Sequence, residues 1–307
     1  MQTNEAPSTY RTSAHRPSPF QMVTSAYVDA FARRRLIQYL VAADIKKKGT
    51  DTLLGNLWWL LDPLIAMGVY VFVMTYIFQR SQPDFPLFLL SAVIPFKWFT
   101  QAIGDSTTTV IRNERLIKQI AFPKIVLPIA GSAAEVVSFI FGMGLLIGLS
   151  LMMSNGAHLS LMMFWVPVIA VIQFVLVLGL SFIVASVTVF YRDVGIIIGH
   201  LMRLLFFMSP ILWSFDAAAG RGLQLEKAVG RTIYTLLSYN PVAILLTSYR
   251  HVIYGTVEVS ADGTPTWGPP IPPDTTHLAV LGVISVLILI FGTYLFRRLE
   301  TAFAKVL

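Results

Sequence analysis

The sequence predicts an all-α membrane protein with six transmembrane helices, and three observations support this prediction. Hydrophobic residues make up 55% of the 307 residues and charged residues only 13%, whereas soluble domains carry about 25% charged residues. The mean hydropathy is +0.69. Six separate segments are apolar over the roughly 20 residues that a helix needs to cross a bilayer. The composition therefore suits lipid rather than water as the main solvent.

The chain begins with a polar and basic region, residues 1–52, before the first apolar segment. Residues 1–19 are rich in Ser, Thr and Pro, which predicts disorder. Residues 20–43 have apolar side chains at helical spacing, which predicts an amphipathic helix in the membrane interface. A solvated helix packed on a partner is the alternative. No signal peptide is recognisable, so we assign 1–52 to a cytoplasmic tail and interface helix and 53–307 to a transmembrane domain.

The six apolar segments define the predicted spans and their orientation. In chain order they are residues 57–78, 87–110, 122–152, 161–190, 194–213 and 277–296. Most of the 23 Lys and Arg residues fall in segments that lie inside if the N-terminus is cytoplasmic. The positive-inside rule therefore predicts that both termini are cytoplasmic. The same rule accounts for the net charge of +7, and no motif typical of nucleic-acid binding accompanies the basic residues.

The region between the fifth and sixth spans, residues 214–276, is interrupted by prolines and glycines. Residues 234–237 and 242–253 predict short helices that dip back towards the membrane. Non-helical backbone at that depth must line water or protein. Residues 255–276 are rich in Pro and Gly, which predicts an exposed outer loop.

Three ionisable residues lie near the middle of predicted spans: Lys97 in the second, Glu135 in the third and Arg203 in the fifth. A charge at this depth is costly unless it is paired or faces water, so each is a functional candidate. The second and third spans run antiparallel through a short loop. We therefore predict an ion pair between Lys97 and Glu135, which Arg203 could share. The alternative is that one or more of them faces an aqueous channel unpaired.

The loop between the second and third spans carries four basic residues within 112–124. As a helix, it would place Leu116, Ile117 and Ile120 on one apolar edge beside Arg115 and Lys118. An ordinary positive-inside loop is one interpretation. A docking helix for a cytoplasmic partner, with its apolar edge in a groove, is the other.

Several kinds of chemistry have no support in the sequence. There is no Walker A motif, so the chain cannot hydrolyse ATP by P-loop chemistry. The absence of cysteine excludes disulfides and thiolate metal sites. The five histidines are scattered, without carboxylates at metal-ligand spacing, and we predict no metal site.

Aromatic residues cluster near the ends of predicted spans. An interfacial belt explains most of them, although some could line a pore and stack on sugar faces. The candidates are Trp58, Trp98, Phe99, Trp213 and Tyr239.

Four sequence blocks in fixed order resemble the ABC-2 type permeases that export polysaccharide, the Wzm and teichoic-acid exporter group. The blocks are IKKKGTDTLLGNLWWLLDP at 45–63; PFKWF at 95–99 with NERLIK at 113–118 and FP at 122–123; FYRD at 190–193 with MSPI at 208–211; and YNP at 239–241 with YRHVIYG at 249–255. Together they cover about residues 43–298. The family often has Arg-Tyr-Lys before the first span, where this chain has three lysines and no tyrosine.

The resemblance implies a homodimer of six-span subunits, bound to two copies of a separate ATPase that holds ATP and magnesium. This chain would then be a permease subunit without a cofactor or enzymatic activity of its own. The implied substrate is a polysaccharide on a polyprenyl-pyrophosphate lipid, exported across the cytoplasmic membrane, and overall similarity favours the cell-wall galactan branch. Outer gate helices are implied within 214–254. The implied ATPase-docking helix contains Arg112, Asn113, Glu114, Arg115, Leu116 and Lys118.

Basic residues before the first span suit the pyrophosphate of such a substrate, because Arg forks match phosphate oxygens. We hypothesise that they guide the lipid head group, although topology and attraction to anionic lipid explain single residues equally well. The candidates are Arg33, Arg34, Arg35, Lys46, Lys47 and Lys48.

Two other functional classes remain as alternatives. A polyprenyl-phosphate-dependent membrane glycosyltransferase needs acidic residues at the interface to hold a metal or to act as a base, and the predicted inner loops offer only scattered ones. A secondary transporter is the other class, and the two halves show no convincing internal repeat.

Overall fold

The computed structural model describes residues 18–50, 52–79, 83–120, 122–153, 159–215, 230–259 and 265–306. Their helices in chain order are α1 (Pro19–Ala32), α2 (Arg34–Gly49), α3 (Trp58–Phe72, continued by a π-helical turn Val73–Ile77), α4 (Phe85–Arg112), α5 (Glu114–Gln119), α6 (Val126–Met152), α7 (Trp165–Phe190), α8 (Asp193–Met208), α9 (Arg231–Ser238), α10 (Pro241–Ile253) and α11 (Thr275–Val306). Short 3-10 turns precede α3 and α7.

Among the described residues, five helical segments are long and apolar enough to cross a bilayer: Trp58–Ile77, Phe85–Arg112, Val126–Met152, Leu161–Phe190 and Thr275–Phe303. The all-α membrane class is therefore confirmed. The predicted fifth span, 194–213, instead contains the 16-residue helix α8. Helix α8 ends at Met208 because the residue before Pro210 disfavours helical backbone. At 1.5 Å per residue, its 16 residues are about 24 Å long. The predicted total of six spans and the cytoplasmic placement of both termini stay predictions.

The N-terminal region forms two helices where the sequence predicts one over 20–43. The helix is interrupted at Arg33, and α2 then runs from Arg34 to Gly49. A capping box starts α1, since the Ser18 side chain accepts a hydrogen bond from the Gln21 backbone and the Gln21 side chain accepts one from Ser18. Both helices pack on spanning helices of the same chain, α1 on α11 and α2 on α6. The predicted disordered tail, up to residue 17, lies outside the described residues.

Helix α4 is the centre of the bundle. It packs against α3, α6, α7, α8 and α10, and most of its residues are buried. Helices α7 and α11 form the other large contact. At Gly179 an added Cβ would lie 2.7 Å from the Leu289 backbone nitrogen, and at Gly292 it would lie 2.4 Å from the Gly179 carbonyl oxygen. Small residues therefore let these two helices approach to backbone contact.

Between α8 and α11 the two segments predicted to be helical are helical, and a predicted loop is corrected, whereas the outer gate role stays a prediction. Helices α9 and α10 contain the segments 234–237 and 242–253. The predicted loop 255–276 contains a hairpin in which Thr256–Val259 pairs antiparallel with Pro265–Gly268. Its β-branched residues favour strands despite the flanking prolines and glycines. Gly255 enters the hairpin at φ +103°. Residues 216–229 and 260–264 lie outside the part of the chain that the structure describes.

Candidate functional site

Five charged residues from four helices form what we call the inner charged cluster. They lie between the middle of α4 and its C-terminal end, beside the first halves of α3 and α6, on the side of the bundle that we predict to be cytoplasmic. Lys97 Nζ lies 3.0 Å from Asp62 Oδ2, and Lys48 Nζ lies 3.7 Å from Asp105 Oδ2. Lys48 also forms an ion pair with Glu135 Oε1. The cluster therefore connects α2 to the spanning helices α3, α4 and α6.

The predicted ion pair between Lys97 and Glu135 is wrong. Each residue pairs with a group from another helix: Lys97 with Asp62 and Glu135 with Lys48. The prediction assumed that α4 and α6 pair only with each other, but α2 packs along α6 and brings Lys48 to Glu135. Arg203 is exposed on α8 and forms no ion pair with any residue that the structure describes.

A cleft of 270 Å³ opens beside the inner charged cluster. The side chain of Glu135 is fully buried there, and its Oε2 has no hydrogen-bond partner among the described residues. Asp62 and Asp105 remain 50% and 42% exposed. Carboxylates within spanning helices cannot face lipid at acceptable cost, so we expect the cleft to open to water. Its lining residues are Lys48, Trp58, Trp59, Asp62, Lys97, Gln101, Asp105, Glu135 and Ser138.

The structure separates Lys48 from the other basic residues that precede the first span. Arg33, Arg34 and Arg35 are exposed at the break between α1 and α2, and the Arg34 guanidinium lies 5.2 Å from the centre of a neighbouring aromatic ring, that of Phe31. Lys46 and Lys47 are likewise exposed in the last turn of α2. Lys48 instead points into the inner charged cluster. Five of the six candidates are thus accessible to an anionic head group.

The predicted docking region begins where α4 ends. Arg112, the last residue of α4, lies 3.9 Å from Asp44 of α2. The Asn113 side chain donates a hydrogen bond to the Thr109 carbonyl at 2.7 Å. Both contacts tie this turn to helices of the same chain, so its position depends on α2.

The short helix α5 carries the rest of the docking candidates. Lys118 Nζ donates to Glu114 Oε1 at 2.6 Å, and this hydrogen bond lowers the pKa of the Glu114 carboxyl. Arg115 is exposed. Ile117 is buried and Leu116 packs in the same internal cluster, against α1 and α2 side chains. Two of the three residues of the predicted apolar edge are therefore used within the chain, while Ile120 is 55% exposed beside the basic residues of α5.

Two of the predicted channel or interfacial aromatics belong to the core. Trp98 and Phe99 are only 2% and 4% exposed, and the Trp98 ring centre lies 4.7 Å from that of Phe139. They are buried in the single chain because α4 is its central helix. Trp58 and Tyr239 are 38% and 61% exposed.

The opposite end of the bundle, which we predict to face outwards, contains Arg250, which sequence reasoning did not single out. Its side chain is almost completely buried. It donates hydrogen bonds to the Ile211 carbonyl at 3.0 Å and the Trp213 carbonyl at 2.9 Å, and its guanidinium lies 3.9 Å from the Phe88 ring centre. Arg250 therefore clamps the bent segment after α8 to α10 and α4. A single arginine inside the apolar run 242–254 is the signal that could have found it.

Comparisons with known proteins add evidence over most of the chain. No protein-family model matches it. It is 27% identical to the O-antigen export system permease protein RfbA of Myxococcus xanthus, over 90% of this chain and 97% of that protein. It is 24% identical to a protein of the same name from Klebsiella pneumoniae, over 89% and 95%. A shorter match, 30% over 82 residues, is to the polysialic acid transport protein KpsM of Escherichia coli, covering 26% of this chain and 32% of that protein.

Proposed function

We propose that this chain, which is a permease of the ABC-2 type polysaccharide-export family, forms half of a dimeric channel for a lipid-linked polysaccharide in the inner membrane. A separate ATPase would supply the energy by binding ATP and magnesium. The observation that carries the proposal is the alignment with O-antigen export permeases over nearly their full length. The chain is a transporter subunit and not an enzyme.

The exposed surfaces of α3 and α8 support a dimer. In the single chain α8 has no buried residue, and Pro63 is the one buried residue of α3. His200 and Arg203 lie near the middle of α8 on its exposed surface. Polar and charged groups at such a depth are costly in lipid. A second copy of the chain, or a water-filled passage between two copies, gives both helices a suitable neighbour.

The basic surfaces at the inner end support the remaining parts of the proposal. The exposed Arg115 of α5 gives a cationic surface to a cytoplasmic ATPase. The preceding helix α4 is tied to α2 by the ion pair between Arg112 and Asp44. The exposed arginines at 33–35 suit the pyrophosphate of a polyprenyl carrier. The galactan branch stays a prediction from overall sequence similarity, because the aligned relatives carry the names of O-antigen and polysialic acid systems.

Deletion of the gene tests the function and separates it from the glycosyltransferase alternative. An exporter mutant should lose the surface polysaccharide and accumulate lipid-linked polymer inside the cell, and the wild-type gene should restore export. A glycosyltransferase mutant would lack the polymer in both places. The wild-type chain should also co-purify with an ABC ATPase. Loss of polymer synthesis, or purification without any ATPase, would contradict the proposal.

Neutralising the arginines at 33–35 tests the head-group proposal. The triple variant Arg33→Gln, Arg34→Gln, Arg35→Gln should export less polymer, because it removes the exposed cationic surface beside the membrane. Its membrane insertion and its co-purification with the ATPase should not change. Normal export by this variant would remove the proposed role.

A further inference from the structure

The cleft beside the inner charged cluster offers a ligand many hydrogen-bonding groups in a small space. The side chains of Asp62, Asp105, Lys48 and Lys97 are 50%, 42%, 32% and 24% exposed, so each pair is still accessible from one side. The Gln101 amide and the Ser138 hydroxyl line the same wall. Donors and acceptors thus alternate around a volume of 270 Å³, slightly below the ~300 Å³ at which small-molecule sites usually begin. The space suits one small hydroxyl-rich unit rather than a long segment of polymer.

A tryptophan pair adds a flat apolar surface to this polar wall. Trp58 and Trp59, at the start of α3, both line the cleft, and Trp58 is 38% exposed. Ligand sites commonly combine an aromatic surface with a few placed polar groups. A pyranose ring has both kinds of surface, since its axial C–H groups are apolar and its hydroxyls donate and accept hydrogen bonds.

Glu135 gives the cleft a built-in acceptor. It is fully buried, Lys48 holds its Oε1, and its Oε2 has no donor among the described residues. A buried carboxylate oxygen without a donor is costly. A ligand hydroxyl in the cleft, or a water that such a hydroxyl orients, would supply the missing hydrogen bond.

The charge balance of the cleft selects the chemical class. Three carboxylates, Asp62, Asp105 and Glu135, face two ammonium groups, Lys48 and Lys97. Asp62 and Asp105 already balance the two ammonium groups, so the cleft has no surplus positive charge with which to attract an anion, and an uncompensated charge is costlier inside a bundle than in water. A pyrophosphate or a uronic acid is therefore disfavoured, while a neutral sugar is accepted.

We propose that this cleft is a subsite for one neutral sugar residue of the exported polymer, held against Trp58 and hydrogen-bonded by the inner charged cluster. The inference rests on the proposed function, which brings a polysaccharide to the inner end of the bundle. The proposed head-group site and the proposed sugar subsite are therefore different places. The arginines at 33–35 lie on the exposed surface of the protein, whereas the sugar subsite lies in the cleft between helices.

The absence of cysteine in the chain allows a direct test by thiol labelling. A Ser138→Cys variant is purified with its ATPase, placed in lipid nanodiscs and labelled with a neutral methanethiosulfonate reagent. The probes are the methyl glycosides of glucose, galactose and mannose, with glucuronic acid as the anionic comparison. At least one neutral glycoside should slow labelling several-fold, and glucuronic acid should not. A Ser25→Cys variant, whose thiol lies on the exposed surface of α1, controls for effects on the reagent itself.

A second pair of variants shows whether the tryptophan contributes. In the Ser138→Cys background, Trp58→Leu should abolish protection, whereas Tyr76→Leu, at an exposed aromatic near the other end of α3, should keep it. Absence of protection by every neutral glycoside, equal protection by glucuronic acid, or protection that survives Trp58→Leu would overturn the subsite. Polymer export by the Ser138→Cys strain is measured in parallel. Normal export without protection overturns only the subsite, while a deletion strain with unchanged surface polymer overturns the proposed function.

Discussion

At the scale of single residues, Lys48 shows how an apparently simple basic stretch divides into two roles. Its neighbours Lys46 and Lys47 are exposed at the end of α2, where cations also suit the negative end of the helix dipole. Lys48 is the residue whose ammonium compensates the buried Glu135. A buried carboxylate that loses its partner is strongly destabilised. Lys48 is therefore needed for the fold around the cleft.

Replacing Lys48 tests this role against a matched neighbour. Lys48→Met should destabilise the protein by about 3 kcal/mol, because it leaves Glu135 buried without a counter-charge. Lys47→Met removes the same charge from an exposed position and should change stability by at most about 0.5 kcal/mol. Melting temperatures of the detergent-solubilised proteins provide the comparison. Adding Glu135→Gln to Lys48→Met should recover most of the loss, and equal melting temperatures for the two single variants would contradict the assignment.

Arg250 has a comparable importance on the outer side, where a lysine cannot replace it. The planar guanidinium reaches two carbonyls at once and also lies over the Phe88 ring, whereas an ammonium is a compact point charge. Arg250→Lys should therefore cost about 2 kcal/mol, within the range for hydrogen bonds to charged groups. The exposed Arg231→Lys of α9 is the control and should leave the melting temperature unchanged. Similar melting of both variants would show that the clamp has little energetic importance.

At the scale of elements, the contact between α7 and α11 depends on the absence of two side chains. Gly179 and Gly292 bring backbone against backbone, and no longer residue would permit this separation. The glycines of α6 differ from these and from each other: at Gly142 an added Cβ would lie 2.8 Å from the Ile94 side chain, whereas at Gly144 it would meet nothing within 4 Å. Within residues 142–148, close packing therefore involves Gly142 and a side chain, whereas Gly179 and Gly292 meet backbone.

Alanine substitutions at Gly179 and at Gly144 should have opposite effects. Gly179→Ala pushes α7 away from α11, and overpacking of this kind costs about 1–3 kcal/mol. Gly144→Ala adds a methyl group to open space within a helix, where alanine is favoured over glycine by about 0.5–1 kcal/mol. Thermal melting in detergent should therefore shift downwards for the first variant and slightly upwards for the second. A shift in the same direction for both would argue against the close contact.

At the scale of the whole molecule, the bundle is incomplete on the side of α3 and α8. The exposed side chains of α8 include large apolar residues together with the mid-helix Arg203. On α11 the exposed residues at 280, 283 and 287 are apolar, which suits lipid. The two surfaces therefore predict different neighbours, a second copy for α8 and lipid for the outer face of α11.

Single cysteines in the cysteine-free chain distinguish these neighbours. Ile197→Cys, Leu204→Cys and Phe207→Cys on α8 should include a position that forms a covalent dimer under mild oxidation in membranes, since disulfides need Cα atoms within about 7 Å. Val283→Cys and Leu287→Cys on α11 should remain monomeric on denaturing gels. Dimers formed through α11 and not through α8 would contradict the proposed arrangement.

Much of the molecule could be predicted because it depends on local patterns of apolar residues. Five spans, the two outer helices and the membrane location follow from segments whose length and hydrophobicity act independently of the rest of the chain. Two predictions failed because a second local preference outweighed the pattern used. The predicted fifth span is shorter because Pro210 ends α8 early, and the predicted Pro- and Gly-rich loop contains a hairpin because its β-branched residues favour strands. The family resemblance came from short motifs, and an alignment over 90% of the chain then supported it.

The sequence by itself determined that this chain is a helical membrane protein and a permease of its family. The apolar segments have the length that a bilayer requires, and the motifs follow the order found in the family. Only the tertiary structure decided which charges meet. Glu135 pairs with Lys48 rather than Lys97, and Trp98 is buried rather than exposed, because α2 packs on α6 and α4 lies at the centre. Such pairings join residues far apart in sequence, so the packing of helices, not their composition, created the cleft and its charge.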